Sequence, residues 1–381
     1  MRILYFSRSY TTHDRRFLVE LAATHHEVWY LRLEGGDPTK YELRSMPEGV
    51  REIPPLGGRP LAGPEQWIRL APRLEARLAE VRPDLVHAGP VQNCSFLAAL
   101  AGFHPLVAMS WGSDLLVDAD RDEFWTWVTQ YALRRADMLV TDCGEVSRKA
   151  HAIAGVGPDR IAQFPWGVDL AAFRPGPDTL QVRRNMGGND RIIAISTRSW
   201  EPSYGIMHVL EGFRLAHREA PQLALLLLGA GSLQKDMEDF VRKNHLHGSV
   251  FLVGAVAAQN LPEYFRAADI YVSGALSDGS SLSLLEAMAT GLPVIVTDRP
   301  SNREWVGEPG NGYLAPFGDS SALSTAFLKA AALSPSARRE IAGRNRAIVE
   351  ERADWKRNIR TLWAVYDRLR DEVTTCPSSA S

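Results

Sequence analysis

Cysteine is scarce in this chain. Only Cys94, Cys143 and Cys376 occur, an odd number without the paired spacings of zinc ligands. That excludes a disulfide framework or a structural zinc and fits a reducing, cytoplasmic compartment. An excess of either charge is also lacking: 43 basic and 45 acidic residues leave a net charge of −2. A general nucleic-acid binder needs a basic surplus. No apolar run approaches the roughly 18 residues that span a bilayer. Met1-Arg2 leads straight into Ile3–Phe6, so no signal peptide is expected. Low complexity is confined to a short serine-rich tail after Val373, and there is no internal repeat beyond two similar halves.

What is present is a globular composition, 45% hydrophobic and 23% charged over 381 residues, with enough chain for two or three domains. The first half alternates strands with helices. Strands are predicted at Ile3–Phe6, Glu27–Leu33, Arg51–Ile53, Asp84–His87, Pro105–Met109, Asp137–Thr141 and Arg160–Phe164, and helices at Arg15–Thr24, Gln66–Val81, Gln92–Ala101 and Arg121–Arg135. A second series has strands at Ile192–Ser196, Leu223–Leu228, Val250–Val253, Asp269–Ser273 and Val294–Thr297. Such alternation predicts an α/β fold with parallel, doubly wound sheets. Between the halves, Ala171 to Asn189 is rich in Pro and Gly and reads as a linker. The expected domains are therefore 1–172 and 187–354. A last helix, about 355–373, carries Trp355, Ile359, Leu362, Trp363, Tyr366 and Leu369, a periodicity that demands a packing partner.

Residues 275–298 carry the densest chemical signal. Asp278-Gly279-Ser280-Ser281 supplies two turn formers and two candidate N-caps. Leu282, Leu285 and Ala289 follow at helical spacing and are expected to face a sheet, before Gly291 and Pro293 stop the helix. A helix start offers backbone N–H groups and the positive dipole end to an anion, and Gly279 permits close approach. Glu286 is expected on the other face, beside Ser283 and Thr290, where a carboxylate accepts paired hydrogen bonds from a sugar diol. The plain alternative for a lone Glu is a solvated helix residue.

Seven residues separate Asp278 from Glu286, and the segment resembles the acidic-x7-Glu motif of retaining glycosyltransferase family 4 (glycosyltransferase group 1). Gly-Val-Asp at 167–169, Thr197-Arg198, Gly254, Asn302-Arg303-Glu304 and Asn311-Gly312 extend the resemblance over nearly the whole chain. It implies a GT-B architecture: two Rossmann-like doubly wound domains facing across a cleft, with the last helix returning to the first. It also implies a nucleoside-diphosphate-sugar donor, UDP- or GDP-linked, and no cofactor. By the same resemblance Arg198 contacts the diphosphate, Glu286 the ribose and Asp278 the sugar hydroxyls. Ser280, Ser281 and Leu282 open the anion-binding helix, and Gly254 with Val253 and Ala255 lines the base pocket.

The chain departs from the family in three places. Tyr204, before Gly205, stands where a Lys usually follows the Arg; its phenol donates a hydrogen bond but supplies no charge. Trp111-Gly112-Ser113-Asp114 replaces His-Gly-x-Asp, so the His role is not carried over. Trp111 is then a candidate for stacking on a sugar. Asp114 is a candidate for binding hydroxyls, or alternatively caps the following turn. Ser7 to Arg16 lacks the usual glycines and offers Arg8, His13 and Arg16 as positive charge, with Asp14 as a helix cap.

His87, Cys94 and His104 have no triad-like company and read as ordinary packing. Trp67, Ile68, Leu70 and Leu74 with Arg69, Arg73 and Arg77 form an amphipathic stretch, fit either for a membrane surface or for packing on the sheet. No metal triad or carboxylate nucleophile is evident. The resulting expectation is metal-independent, retaining sugar transfer to a glycan, lipid-linked or small-molecule hydroxyl. The alternatives are a nucleotide-sugar epimerase, a glycoside hydrolase using Asp278 and Glu286, and a non-catalytic nucleotide-sugar-binding protein.

Overall fold

The computed structural model describes residues 1–37, 42, 44–59, 63–177, 182–186, 188, 190–307 and 310–375. Cys376 with the serine-rich tail, and residues 178–181, Gly187 and Asn189 of the expected linker, lie outside the described residues. The chain divides into two compact units, Met1–Phe164 with Arg360–Ser381 and Pro165–Ile359.

This moves the boundary expected at 172 back to Phe164, for a backbone reason. Val168 N–H donates to the Ala353 carbonyl at 2.8 Å, and the Asn358 side chain donates to the Pro165 carbonyl at 2.8 Å. Gly167 has φ +71°, and a Cβ there would lie 2.4 Å from the Ala353 oxygen. Only glycine admits that close approach. Residues 165–172 are thereby sewn to the second unit, as is the short helix Trp355–Asn358. The final helix, Arg360–Thr375, belongs to the first.

The first unit is built on seven parallel strands: β1 Arg2–Ser7, β2 Glu27–Arg32, β3 Val50–Glu52, β4 Leu85–Gly89, β5 Leu106–Met109, β6 Met138–Thr141 and β7 Ile161–Gln163. Their order is β3-β2-β1-β4-β5-β6-β7. Ile3 to Phe6 and Leu85 to Ala88 are fully buried, as strands covered on both faces must be. The single helix expected over Gln66–Val81 is instead two, Pro64–Trp67 and Ala71–Val81, joined by a 3₁₀ turn. Pro72 has no N–H to continue an unbroken ladder. The apolar stripe splits accordingly: Trp67 and Leu74 are buried, whereas Ile68 is exposed.

In the second unit the strands are β8 Ile192–Ser196, β9 Leu223–Leu228, β10 Val250–Gly254, β11 Ile270–Ser273, β12 Val294–Thr297 and β13 Gly312–Ala315, in the order β10-β9-β8-β11-β12-β13. β13, absent from the sequence expectation, pairs with β12 from Val294 opposite Gly312. The helix Leu282–Thr290 is buried almost all round, Leu282 and Glu286 being the two residues left partly open. Leu282 therefore shares the open face with Glu286, four residues on, and does not face the sheet with Leu285 and Ala289 as expected.

Candidate functional site

Open parallel sheets place ligands beyond the carboxyl ends of their strands, where strand order reverses. In the second unit that point is the β8/β11 junction, since β9 and β10 extend one way from β8 and β12 and β13 the other way from β11. Arg198 follows β8, and the Asp278–Ser281 turn follows β11. Strand order thus makes neighbours of residues eighty positions apart.

The Arg198 guanidinium is the hub. Its Nη2 donates to Asp278 Oδ1 at 2.8 Å, and Nη1 donates to Ser281 Oγ at 2.9 Å and Ser283 Oγ at 3.0 Å. Its Cζ stands 4.4 Å from the centroid of the Tyr204 ring. The buried Nε makes no hydrogen bond. Side-chain exposure is 11% for Arg198 and 20% for Asp278. Desolvation disfavours the arginine charge, but the Asp278 carboxylate together with the Tyr271 and Tyr204 hydroxyls outweighs it and raises the Arg198 pKa. Burial pushes the Asp278 carboxyl up, against the lowering pull of Arg198.

Three features fix this geometry. The loop after β8 is braced by the loop after β9, through Trp200 N–H to the Ala230 carbonyl (3.0 Å) and Leu233 N–H to the Trp200 carbonyl (2.9 Å). Gly205, at φ +61°, lies so close to Gly274 that a Cβ would meet the Gly274 oxygen at 2.0 Å. The Leu276 N–H then bonds the Ser203 carbonyl at 2.8 Å, tying the two site loops together. Ser281 occupies the N-cap position of the helix, yet its hydroxyl makes no capping bond and accepts from Arg198 instead. Ser283 also meets the Tyr271 hydroxyl at 2.7 Å, and Ser280 Oγ accepts from Trp305 Nε1 at 3.3 Å. Gly279 is buried in the turn, and Glu286 is half-buried one helical turn past Leu282.

Tyr204 accordingly acts through its ring face, a cation–π contact, where the sequence suggested only its hydroxyl. Ser283 and Thr290, expected beside Glu286, are buried; Ser283 instead joins the site through Arg198 and the Tyr271 hydroxyl, and Tyr271 joins it with no sequence signal. Gly254, φ +85°, ends the edge strand β10 at a register shift and accepts from Gly229 N–H at 2.9 Å. Val253 is 39% exposed there.

In the first unit strand order reverses at β1/β4. Trp111, after β5, contacts the His13 ring at 5.5 Å and meets Phe17 edge-on at 6.4 Å. Asp114 lies inside the short helix Ser113–Leu116, whose N-cap is Gly112, and bonds the loops around it. Its Oδ1 accepts from Ser110 Oγ (2.6 Å) and from the N–H groups of Trp111 and Leu115 (both 3.0 Å), while Oδ2 accepts from Val91 N–H (3.0 Å). This buried carboxylate ties the loops after β4 and β5 together, and burial pushes its pKa up to about 6.

Asp14 is not the N-cap. Thr11 is, and Asp14 closes the capping box from the third helical position, buried and with its pKa likewise raised by burial to about 6. Arg8 pairs with Glu34 at 3.1 Å. His104 pairs with Asp137 at 2.9 Å, and Cys94 is plain core. His87 does more than pack: its Nδ1 meets the Tyr366 hydroxyl at 2.5 Å, tying the final helix to β4. Among the described residues no three His, Cys, Asp or Glu side chains gather as metal ligands, and no helix is long and apolar enough to cross a membrane.

Comparison with known proteins agrees with this architecture. Residues 181–348 match the family described as Glycosyl transferases group 1, and residues 11–172 match Glycosyltransferase Family 4. The chain is 28% identical over 144 residues to the alpha-monoglucosyldiacylglycerol synthase of Streptococcus pneumoniae, covering 36% of this chain and 32% of the relative. It is 26% identical over 180 residues to the Escherichia coli UDP-Gal:alpha-D-GlcNAc-diphosphoundecaprenol alpha-1,3-galactosyltransferase, covering 46% of each. The chain thus spans less than half the length of these curated relatives. In fold it is similar to Anabaena Alr3699/HepE, solved in complex with UDP, at a TM-score of 0.78 and 18% identity over 97% of this chain and all of that one. Two matched segments in the expected order, each on its own parallel-sheet unit, place the chain in the group 1 glycosyltransferases, family 4, with the GT-B fold.

Proposed function

We propose that this chain is a retaining glycosyltransferase that takes a sugar from a nucleoside-diphosphate-sugar, UDP-linked in the first instance, and delivers it to an acceptor hydroxyl. The observation that carries the reading is the guanidinium of Arg198 at the β8/β11 switch point, flanked by Ser281 and Ser283 at the start of the helix that presents Glu286 on its open face. A cation fork beside a helix start suits a diphosphate, and a carboxylate one turn further suits a ribose diol. The UDP bound to the Anabaena protein and the UDP-sugar named for the Escherichia coli relative support that donor class. The lipid products and carriers named for the two relatives support a lipid-linked acceptor.

In this reading the protein stabilises charge growing on the leaving diphosphate and aligns the substrates, while the diphosphate itself helps to deprotonate the acceptor on the same face of the sugar. No cofactor enters. A second reading, binding without transfer, is favoured by one observation: the one arginine identified at the site is already neutralised by Asp278. Product analysis decides between the two. The purified chain with UDP-sugars and GDP-sugars and a lipid-linked acceptor pool should release nucleoside diphosphate in proportion to glycosylated acceptor. Saturable donor binding with no diphosphate released would leave the binding reading, and no donor binding would remove both.

A further inference from the structure

The Arg198–Asp278 pair poses a charge problem. One cation and one carboxylate sum to zero. A diphosphate arriving there meets no net positive charge unless the pair opens. The two partners are not equally free to move. Arg198 is gripped by Tyr204 on a ring face and by two serine hydroxyls on its edge. Asp278 sits in the Asp-Gly turn, is the more exposed of the two and shows the single side-chain bond to Arg198. Serine hydroxyls are neutral and do not compete with phosphate for the arginine charge, whereas the carboxylate does.

We propose that Asp278 is the internal counter-ion of Arg198 in the donor-free protein. The incoming diphosphate displaces it from the guanidinium, and the released carboxylate then meets the donor sugar. The inference rests on the donor-site reading above and adds an order to it. Nucleoside diphosphate and Asp278 compete for one cation, and the sugar finds its carboxylate only after the phosphates have bound. The Tyr204 ring and the two serines hold Arg198 in place through the exchange, so the Asp278 side chain moves and the arginine does not.

The test is titration calorimetry of the full chain with UDP and GDP, on wild type, Asp278→Asn, Asp278→Ala and Arg198→Lys, with turnover measured in parallel. Removing the competing charge should tighten nucleoside-diphosphate binding by about tenfold in both Asp278 variants. Sugar transfer should fall at the same time, since the hydroxyl contacts are weakened or gone. Opposite movements of diphosphate affinity and turnover are an outcome that simple misfolding of the turn does not give. Equal or weaker diphosphate binding by both Asp278 variants overturns the counter-ion role while leaving the donor site intact, provided Arg198→Lys weakens binding. Should Arg198→Lys bind as wild type does, the donor-site reading itself falls and the inference with it.

Discussion

The guanidinium carbon of Arg198 lies 4.4 Å from the centroid of the Tyr204 ring, and the same arginine pairs with Asp278 at 2.8 Å. Tyr204 stands where the family resemblance implied a second cation, and its ring face packs on the first. The ring face does the holding, so Tyr204→Phe should keep nucleoside-diphosphate affinity within about twofold, whereas Tyr204→Ala should weaken it by roughly 3- to 30-fold, the range of a partly desolvated cation–π contact. Calorimetric titration distinguishes them. Equal losses in both variants would mean that the hydroxyl, not the ring, makes the contact.

Glu286 and Asp278 are both acidic, and the two should respond oppositely. A carboxylate that accepts ribose hydroxyls contributes about 1.5–3 kcal/mol, so Glu286→Gln should weaken the bound nucleoside diphosphate about tenfold to a hundredfold. A deoxyribose analogue should show much of the same loss on wild type and little further loss on the variant. If Glu286→Gln leaves affinity unchanged, the residue is the solvated helix position that its sequence context alone allows.

Gly205→Ala should be among the more damaging single-methyl additions in the second unit. The residue has φ +61°, and the new Cβ would stand 2.0 Å from the Gly274 oxygen. Strain and forced separation of the two site loops together should lower stability by about 3 kcal/mol or more. Chemical denaturation measures it, and a variant within about 1 kcal/mol of wild type would show that the loops part easily.

His87 gives the first unit an acid-sensitive lock. Burial holds its pKa down at about 3, against an ordinary value of 6.5. Between those limits the unfolded chain binds a proton that the folded chain refuses, so stability from this group is full above pH 6.5 and falls as pH drops, by about 1.4 kcal/mol per unit. The stability gap between wild type and His87→Asn should therefore narrow from pH 6.5 towards pH 4. Tyr366→Phe, which removes the partner of the buried Nδ1, should lower stability by about 1–3 kcal/mol at neutral pH. A gap that stays constant with pH would mean that the imidazole protonates in the folded state.

Much of the fold was legible because strands covered on both faces are written as unbroken apolar runs. Ile192–Ser196, Leu223–Leu228 and Val294–Thr297 stand in the structure with the bounds their composition suggests. β13 was not legible, since Gly312-Tyr313-Leu314-Ala315 becomes a strand through its register with β12 rather than through its own composition. The helix 282–290 misled in another way. It is buried against neighbours on nearly every side, so spacing did not mark the open face, and Leu282 was placed on the wrong one.

The sequence by itself determined the alternation of strands and helices, the turn at Asp278-Gly279, the helix that follows it and the spacing to Glu286. These depend on local backbone preference and on apolar periodicity, which a linear chain carries within ten or so residues. Only the tertiary structure decided that Arg198 meets Asp278, that Tyr204 lies against that arginine and that Asp114 ties the loops after β4 and β5 together. Each of those facts depends on which strand lies beside which and on where the connecting loops close. That is settled by long-range packing and by the hydrogen-bond demands of buried groups, not by the residues adjacent in the chain.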